Sequence, residues 1–407
     1  MAPDTTSKKA SRFRVVPALG VIEIAAWGSS YYLMTVLAPA ISADTGWSIG
    51  AVTGGVSTGL VVSGLAAPTV GRLVRTFGGA RVMAMGAVAL ASGLAALASS
   101  VTLAMFLGAW VVIGLGMSAT LYDAAFATLG QIFGKDARSA ITQLTLWGGF
   151  ASTICWPLTA FLLAHLGWRG TCLVYAGLHL VLTLPLSAGL LPRGSAPSVQ
   201  ASFAKTDLVP PPSLLDPRIL LFAATGICLT FLATAFFLNL VVLLSGVGYS
   251  MSATITLGTL IGPAQVGARF LEMLGRGRHH PIWTLVASTG LVLGGLIGIV
   301  LGVPAFLALV IYGGGNGLWS ISRGAVPLAI FGPFHYSTTL GRLALPFLLS
   351  GASAPYLGAL LIGSLGPQTA LIAFCAIAMV PVAAVTALAT IVTRGRSEQP
   401  LPYNPRK

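Results

Sequence analysis

Acidic side chains are scarce in this chain. Nine Asp and Glu stand against 22 Lys and Arg in 407 residues, and charged residues make up only 8% of the total. A water-soluble globular chain carries about a quarter charged residues. With 56% hydrophobic residues and a mean hydropathy of +0.90, too few charges remain to cover a surface facing water. Lipid tolerates such a composition, because side chains facing it need no polar cover. Cysteine is rare as well. Cys155, Cys172, Cys228 and Cys375 sit in apolar runs without close spacing, which gives neither a metal-ligand pattern nor a disulfide framework. They read as small packing or lipid-facing residues.

Other chemistries are missing too. There is no Walker loop, no His-Glu pair at zinc spacing and no Ser-His-Asp order that survives placement on apolar segments. Ser152 and Ser350 lie inside such segments, with no base nearby. Among the histidines, His279 and His280 fall in a basic loop, His165 near a segment end, His335 in a loop, and His179 reads as a packing residue. A primary pump and a hydrolase are both disfavoured; no enzyme activity, cofactor or metal is expected. The net charge of +13 would suggest nucleic acid in a soluble chain. Here the basic residues come in ones, twos and threes between apolar runs, with no phosphate-tracking stripe, so no nucleic-acid partner is expected.

What the chain does have is long apolar runs. A spanning helix needs about 20 largely apolar residues. Segments meeting that are 15–41, 49–71, 82–100, 103–132, 140–165, 171–191, 219–244, 252–272, 282–302, 305–331, 342–363 and 368–392. The first is longer than the apolar core of a signal peptide and carries Glu23, so it reads as a retained helix. The long polar interruption 192–218 reads as a cytoplasmic linker between a first bundle, 15–191, and a second, 219–393. Short tails, 1–14 and 394–407, flank them.

Charge placement tests this map. With the N-terminus in the cytoplasm and the sides alternating, cytoplasmic segments take all of the 22 Lys and Arg except Arg169, in an outer loop, and Arg323, inside the tenth segment. Both termini are therefore expected in the cytoplasm. The halves also echo each other: Gly114-Leu115-Gly116 and Phe133-Gly134 in the fourth segment answer Gly313-Gly314-Gly315 and Phe331-Gly332 in the tenth. Val70-Gly71 answers Val266-Gly267. Gly290, Gly294, Gly298 and Gly302 form a one-faced ladder that predicts close helix approach. Gly313 to Gly317 likewise reads as packing and not as a phosphate loop, since it lacks the strand and Lys that such a loop needs.

Several stretches now point to a family. Tyr31-Tyr32 through Leu37-Ala38-Pro39, Gly46-Trp47-Ser48, Pro68 through Gly71, and Glu23 with Trp27-Gly28 resemble the major facilitator superfamily. They are similar, within it, to the bacterial branch related to oxalate/formate and monocarboxylate transporters. Gly167-Trp168-Arg169 is a further facilitator feature. The loop from Gly71 through Arg75 and Gly78 to Arg81 is similar to the family's loop motif, with Arg75 where an Asp is expected. Its second-half counterpart carries Arg269 and Glu272, three residues apart on one helical face. The branch tends to hold a substrate-binding Arg in the middle of the eighth segment. This chain has none there, since Arg269 lies near the cytoplasmic end. The resemblance implies an all-α membrane fold of twelve helices in two pseudo-symmetric six-helix bundles, with helices 1, 4, 7 and 10 lining a cavity. It also implies Gly71, Arg75, Gly78, Arg81, Arg269 and Glu272 as gating elements.

Ionisable groups inside spans are costly and tend to be functional. Glu23, Asp123 and Arg323 each lie about 7–10 Å to the cytoplasmic side of their segment's middle, at 1.5 Å per residue, so they share one layer. Asp123 and Arg323 occupy matching repeat positions to within one residue. Arg323 is the candidate site for an anionic group; Asp123 or Glu23 would carry a coupling proton or pair with Arg323 when the site is empty. Helical spacing adds Trp27, Tyr31 and Met34 near Glu23, and Asn316, Trp319 and Ser320 near Arg323, with Asn239 on the seventh segment. The reading is a secondary active transporter of a small organic solute, anionic and proton-coupled, working as a monomer in the lipid bilayer of the cell's inner (plasma) membrane. Two readings stay open beside it: an exporter of drugs or toxic metalloids, for which the four cysteines lack a thiolate cluster, and a non-transporting sensor or assembly partner.

Overall fold

The structure is a computed structural model that describes residues 12–192, 212–275 and 278–397. Tail residues 1–11, linker residues 193–211, Arg276 and Gly277, and residues 398–407 lie outside the described residues. Every regular element within them is helical. Lipid offers no hydrogen bonds, so a spanning segment has to satisfy its own backbone, and a helix does this within one segment.

Nine helices among the described residues are long and apolar enough to cross a bilayer. Two of these contain a glycine with non-helical backbone, Gly167 (φ 67, ψ 178) and Gly332 (φ 71, ψ 168). Positive φ at these two points is open to glycine at little cost, and each separates two of the expected segments. One further segment is split into pieces too short to count alone. The twelve expected segments are thus all present. α1 comprises Arg12–Ser29 and Leu33–Thr45, α2 is Ile49–Phe77 and α3 Gly79–Ala98. α4 comprises Leu103–Thr120 and Tyr122–Phe133. α5 starts at Ala137 and ends at the Gly167 break, and α6 follows to residue 190 with two stretches of π-helix, His179–Thr183 and Leu186–Leu190. α7 comprises Pro217–Leu238 and Leu240–Gly246, α8 Met251–Gly258 and Ile261–Leu274, and α9 Pro281–Val300. α10 runs from Ala305 to the Gly332 break and α11 from there to Leu365; α12 is Pro367–Ser397.

The chain divides into two compact units. Unit 1 holds residues up to Pro210 together with Gly332–Leu345, and unit 2 holds Pro211–Phe331 and Pro346 onward. Inside each unit the glycine echo does the same work. In unit 1 a Cβ on Gly114 would strike the backbone of Gly59 in α2, and one on Gly116 would strike Leu90 in α3. In unit 2 Gly313 stands likewise against Ile261 of α8, and Gly315 against Val292 and Ser288 of α9. Small residues here let backbones approach within dispersion range.

The ladder on α9 behaves differently from expectation. Gly290 and Gly302 have nothing within 4 Å of a hypothetical Cβ, while Gly295, outside the ladder, abuts Ala308 and Tyr312 of α10. The buried face of α9 carries Ser288, Val292, Gly295 and Ile299, so most of the ladder lies on the other side. His335, expected in a loop, is helical and opens α11. The Gly167-Trp168-Arg169 stretch ties unit 1 together: Trp168 Nε1 donates to Asp44 Oδ2 at 2.9 Å and Arg169 pairs with the same carboxylate.

Candidate functional site

α1 does not continue as one helix past Ser29. The amide of Tyr32 reaches back five residues to the Trp27 carbonyl at 3.0 Å, and Ser30 Oγ donates to the Ala26 carbonyl. The last residue of the first piece is held from α6, where His179 Nε2 meets Ser29 Oγ at 2.7 Å and His179 Nδ1 meets Thr183 Oγ1 at 3.1 Å. This interruption sets out a group of rings. Trp27 lies 5.4 Å from Tyr31, edge-on, and 5.4 Å from Tyr122 of α4, with Tyr32 at 6.0 Å. Trp156 of α5 closes on Tyr32 at 6.1 Å. Glu23 lies beneath, fully buried, and its Oε2 accepts from Trp27 Nε1 at 2.7 Å. Met34 is buried in the second piece.

Asp123 owes its setting to a second interruption. Leu121 is extended (φ −77, ψ −179), and Asp123 stands in the first turn of the helical piece that begins at Tyr122. A side chain there sits at the N-terminal, positive end of that piece's dipole. Its side chain is half-buried.

In unit 2, Asn239 caps the first piece of α7, donating to the Ala235 carbonyl at 2.8 Å. α10 is unbroken through the candidate residues. Asn316 donates to the Tyr312 carbonyl at 3.1 Å and Ser320 to the Gly317 carbonyl at 2.7 Å. Arg323 is half-buried, with its guanidinium carbon 5.9 Å from the centre of the Phe347 ring. Trp319, one turn back, is buried against the same ring at 5.6 Å and against Phe222 at 5.9 Å. Gly226 makes room for Phe347, since a Cβ there would overlap that ring.

The loop after α2 is built around one amide that the sequence reading did not single out. Gln131 of α4 accepts from the Gly79 amide at 3.1 Å and donates to the Val74 carbonyl at 2.6 Å. Gly78 takes positive φ (85) in the turn. Gly71 abuts the Ser337 carbonyl and Gly341, and Arg75 lies 5.2 Å from the centre of the Phe334 ring. Arg72 donates to Thr69, and Arg81 opens α3. In the second-half counterpart, Arg269 is buried and donates to Gln265 Oε1 at 3.2 Å. Glu272 Oε1 accepts from Thr284 at 2.9 Å and lies 3.3 Å from His279 Nε2.

Unit 1 therefore brings Glu23, Trp27 and Tyr31 together, and places Asp123 next to Tyr122 of the same ring group. Unit 2 gathers Arg323 and Trp319 on Phe347, with Asn239 apart on α7. The missed members, Tyr32, Tyr122, Trp156, Phe347 and Gln131, have only weak signals in sequence. Gln131 is a lone amide in an apolar run, and Tyr122 adjoins a charged residue.

The sequence model of the Major Facilitator Superfamily matches residues 19–327. Human monocarboxylate transporter 6 is 31% identical over 164 residues, which is 40% of this chain and 31% of that protein, so the match spans about a third of the relative's length. Among solved structures, the human organic anion transporter MFSD10 (TETRAN) superposes with a TM-score of 0.72 at 16% identity, over 92% of this chain and 99% of that one. The proton:xylose symporter XylE gives 0.69 at 12% identity, over 94% and 96%. At these identities the likeness to solved structures concerns the fold. The family model covers well over half of the sequence, and the chain belongs to the major facilitator superfamily, whose members are membrane transporters and not enzymes.

Proposed function

We propose that this chain moves a small organic solute bearing an anionic group, by alternating access and with proton coupling. The observation that carries the reading is Arg323, a half-buried guanidinium in an apolar helix, seated over the Phe347 ring. A charge placed in a span is costly and tends to be kept for a task. A guanidinium offers a planar fork of donors that suits a carboxylate. Asn316 and Ser320 lie on the same helix above it, and Trp319 packs on the same Phe347 ring. In unit 1, half-buried Trp27 and Tyr31 are amphipathic rings suited to the apolar body of a solute, and in unit 2 Asn239 offers a polar edge.

Asp123 or Glu23 carries the coupling proton, since an acid kept inside an apolar span is costly and tends to be functional. The loop residues Gly71, Arg75, Gly78 and Arg81, with Arg269 and Glu272, serve gating. A monocarboxylate transporter and an organic anion transporter among the similar proteins support the anionic solute, and a proton:xylose symporter supports proton coupling. The two halves are 15–191 and 219–393, joined by a cytoplasmic linker at 192–218, in a monomer of the inner membrane with both termini in the cytoplasm.

The test is counterflow and uptake in proteoliposomes holding the full chain, over carboxylates, neutral sugars and amphipathic drugs at two pH values. A carboxylate should exchange saturably and accumulate under an acid-outside gradient. Exchange confined to neutral sugars or to cationic drugs would overturn the reading.

A further inference from the structure

The joint between α2 and the start of α11 holds a titratable group for which solute binding has no use. Residues 333–365 span about 50 Å as helix, against a hydrocarbon core of about 30 Å. The apolar span of α11 is 342–363, so its first turns, on the side of the α2–α3 turn, fall in the stretch that joins two spans. His335 lies there. Its side chain is 8% exposed, and neither ring nitrogen has a hydrogen-bond partner among the described residues. An imidazole always carries at least one N–H, and a buried polar group without a partner is uncommon enough to need a reason.

Among the described residues, the charged groups that act on it are the Arg75 and Arg342 cations. α2 supplies Arg75, held over the neighbouring Phe334 ring at 5.2 Å, while Arg72 turns to Thr69. α11 supplies Arg342, two turns on from His335. α4 supplies Gly130, against the Tyr336 ring, and the neutral Gln131, engaged with the α2–α3 turn. Burial first, then the Arg75 and Arg342 charges, hold the His335 imidazole below its usual range.

The helices have no slack at this level. Gly71 abuts the Ser337 carbonyl, and Gly341 abuts the Ala67 carbonyl; neither position has room for a side chain. A charge appearing here cannot be relieved by a small local shift that admits water.

We propose that His335 is a proton-operated release for this joint. Neutral, it lets α2 and α11 pack; protonated, it sets a third cation against Arg75 and Arg342 and drives the two helices apart. The sign follows from linkage. The parted state, with an ordinary imidazole near pH 6.5, binds the proton more tightly than the packed one. The joint is therefore fully stable above that pH and loosens as the pH falls below it. This device responds to acid on the side of the α2–α3 turn, independently of the carboxylates assigned to coupling.

The experiment uses the full chain with Cys228→Ser and Cys375→Ser, and with Ser337→Cys as a reporter at the joint, where Ser337 is buried. Thiol labelling rates are measured at pH 7.5 and 5.5, and again with His335→Gln added. Taking the ratio of the two proteins at each pH cancels the reagent's own pH dependence. The ratio, His335 protein over Gln variant, should rise on acidification by at most about tenfold, the ceiling set by pH 5.5 lying one unit below the ordinary imidazole value near 6.5. A ratio equal at both pH values would overturn the proposal. Arg75→Gln removes one of the two cations and should shrink the rise; an undiminished rise also counts against it. If the reporter does not fold, melting of the native sequence and of His335→Gln decides. The native protein should lose more stability between pH 7.5 and 5.5, and equal losses overturn the proposal.

Discussion

Trp27 donates its indole N–H to Glu23 Oε2 at 2.7 Å, one turn along the same helix. This bond holds a fully buried carboxylate beneath a cluster of rings, and it links the acid to the residues proposed to receive the solute. Any movement of Trp27 on binding would therefore disturb the hydrogen bond that holds this carboxylate.

That linkage separates coupling from translocation. Glu23→Gln keeps an acceptor for the indole N–H but no longer titrates, and Asp123→Asn does the same at the α4 break. One of the two variants is expected to exchange solute in counterflow at near-native rate while losing accumulation driven by an acid-outside gradient. Native accumulation in both would remove these acids from coupling. Trp27→Phe, which removes this hydrogen bond to a buried carboxylate, should cost about 1–3 kcal/mol, read as a lowered melting temperature in detergent.

Glycine positions divide by what a side chain would meet. Gly71→Val would press on the Ser337 carbonyl and Gly341, and overpacking of this kind costs about 1–3 kcal/mol. Gly290→Ala meets nothing within 4 Å, and the gain in helix propensity is up to about 1 kcal/mol. Thermal unfolding of the two variants should move in opposite directions. A matching drop for both would mean that the α9 ladder packs after all.

Asp216 caps α7, its carboxylate accepting from the Arg218 amide at 2.9 Å and pairing with the Arg218 guanidinium at 2.7 Å. The hydrogen bonds from the Arg218 side chain hold its carboxyl below the usual carboxylate range. A depressed carboxylate stabilises the fold above its unfolded value, near pH 3.9, and that contribution is lost as pH falls through the folded value. Asp216→Ala should cost about 0.5–2 kcal/mol at neutral pH. Asp216→Asn should retain part of the cap and lose the acid-dependent part, as melting curves at pH 7 and pH 3 would show.

The membrane fold was legible in the sequence because it depends on bulk properties. Long apolar runs and one-sided basic loops survive any detail of packing, and the glycine echo at 114–116 and 313–315 reports backbone approach directly. The candidate site was legible only in part. Glu23, Asp123 and Arg323 stand out because charge in an apolar run is rare. The interruptions at 30–32, 121 and 239 do not stand out, since no proline or glycine marks them; they rest on distant partners such as His179. The α9 ladder misled for a related reason: spacing places glycines on one face, but only the neighbouring helix decides which face is buried. Gln131 matters through contacts 52 and 57 residues away, and Phe347 through a ring contact with a neighbouring helix, and one-dimensional spacing cannot supply these.

The central claim is that Arg323 receives the solute's anionic group, and its most direct test is counterflow by Arg323→Gln and Arg323→Lys in proteoliposomes, using a carboxylate that the native protein exchanges. Loss of a charged hydrogen bond of about 1.5–3 kcal/mol corresponds to roughly a 10- to 150-fold fall in kcat/KM. The Gln variant should show at least that fall with folded protein retained in the membrane, and the Lys variant should lie between it and the native chain. Native exchange by Arg323→Gln would contradict the account.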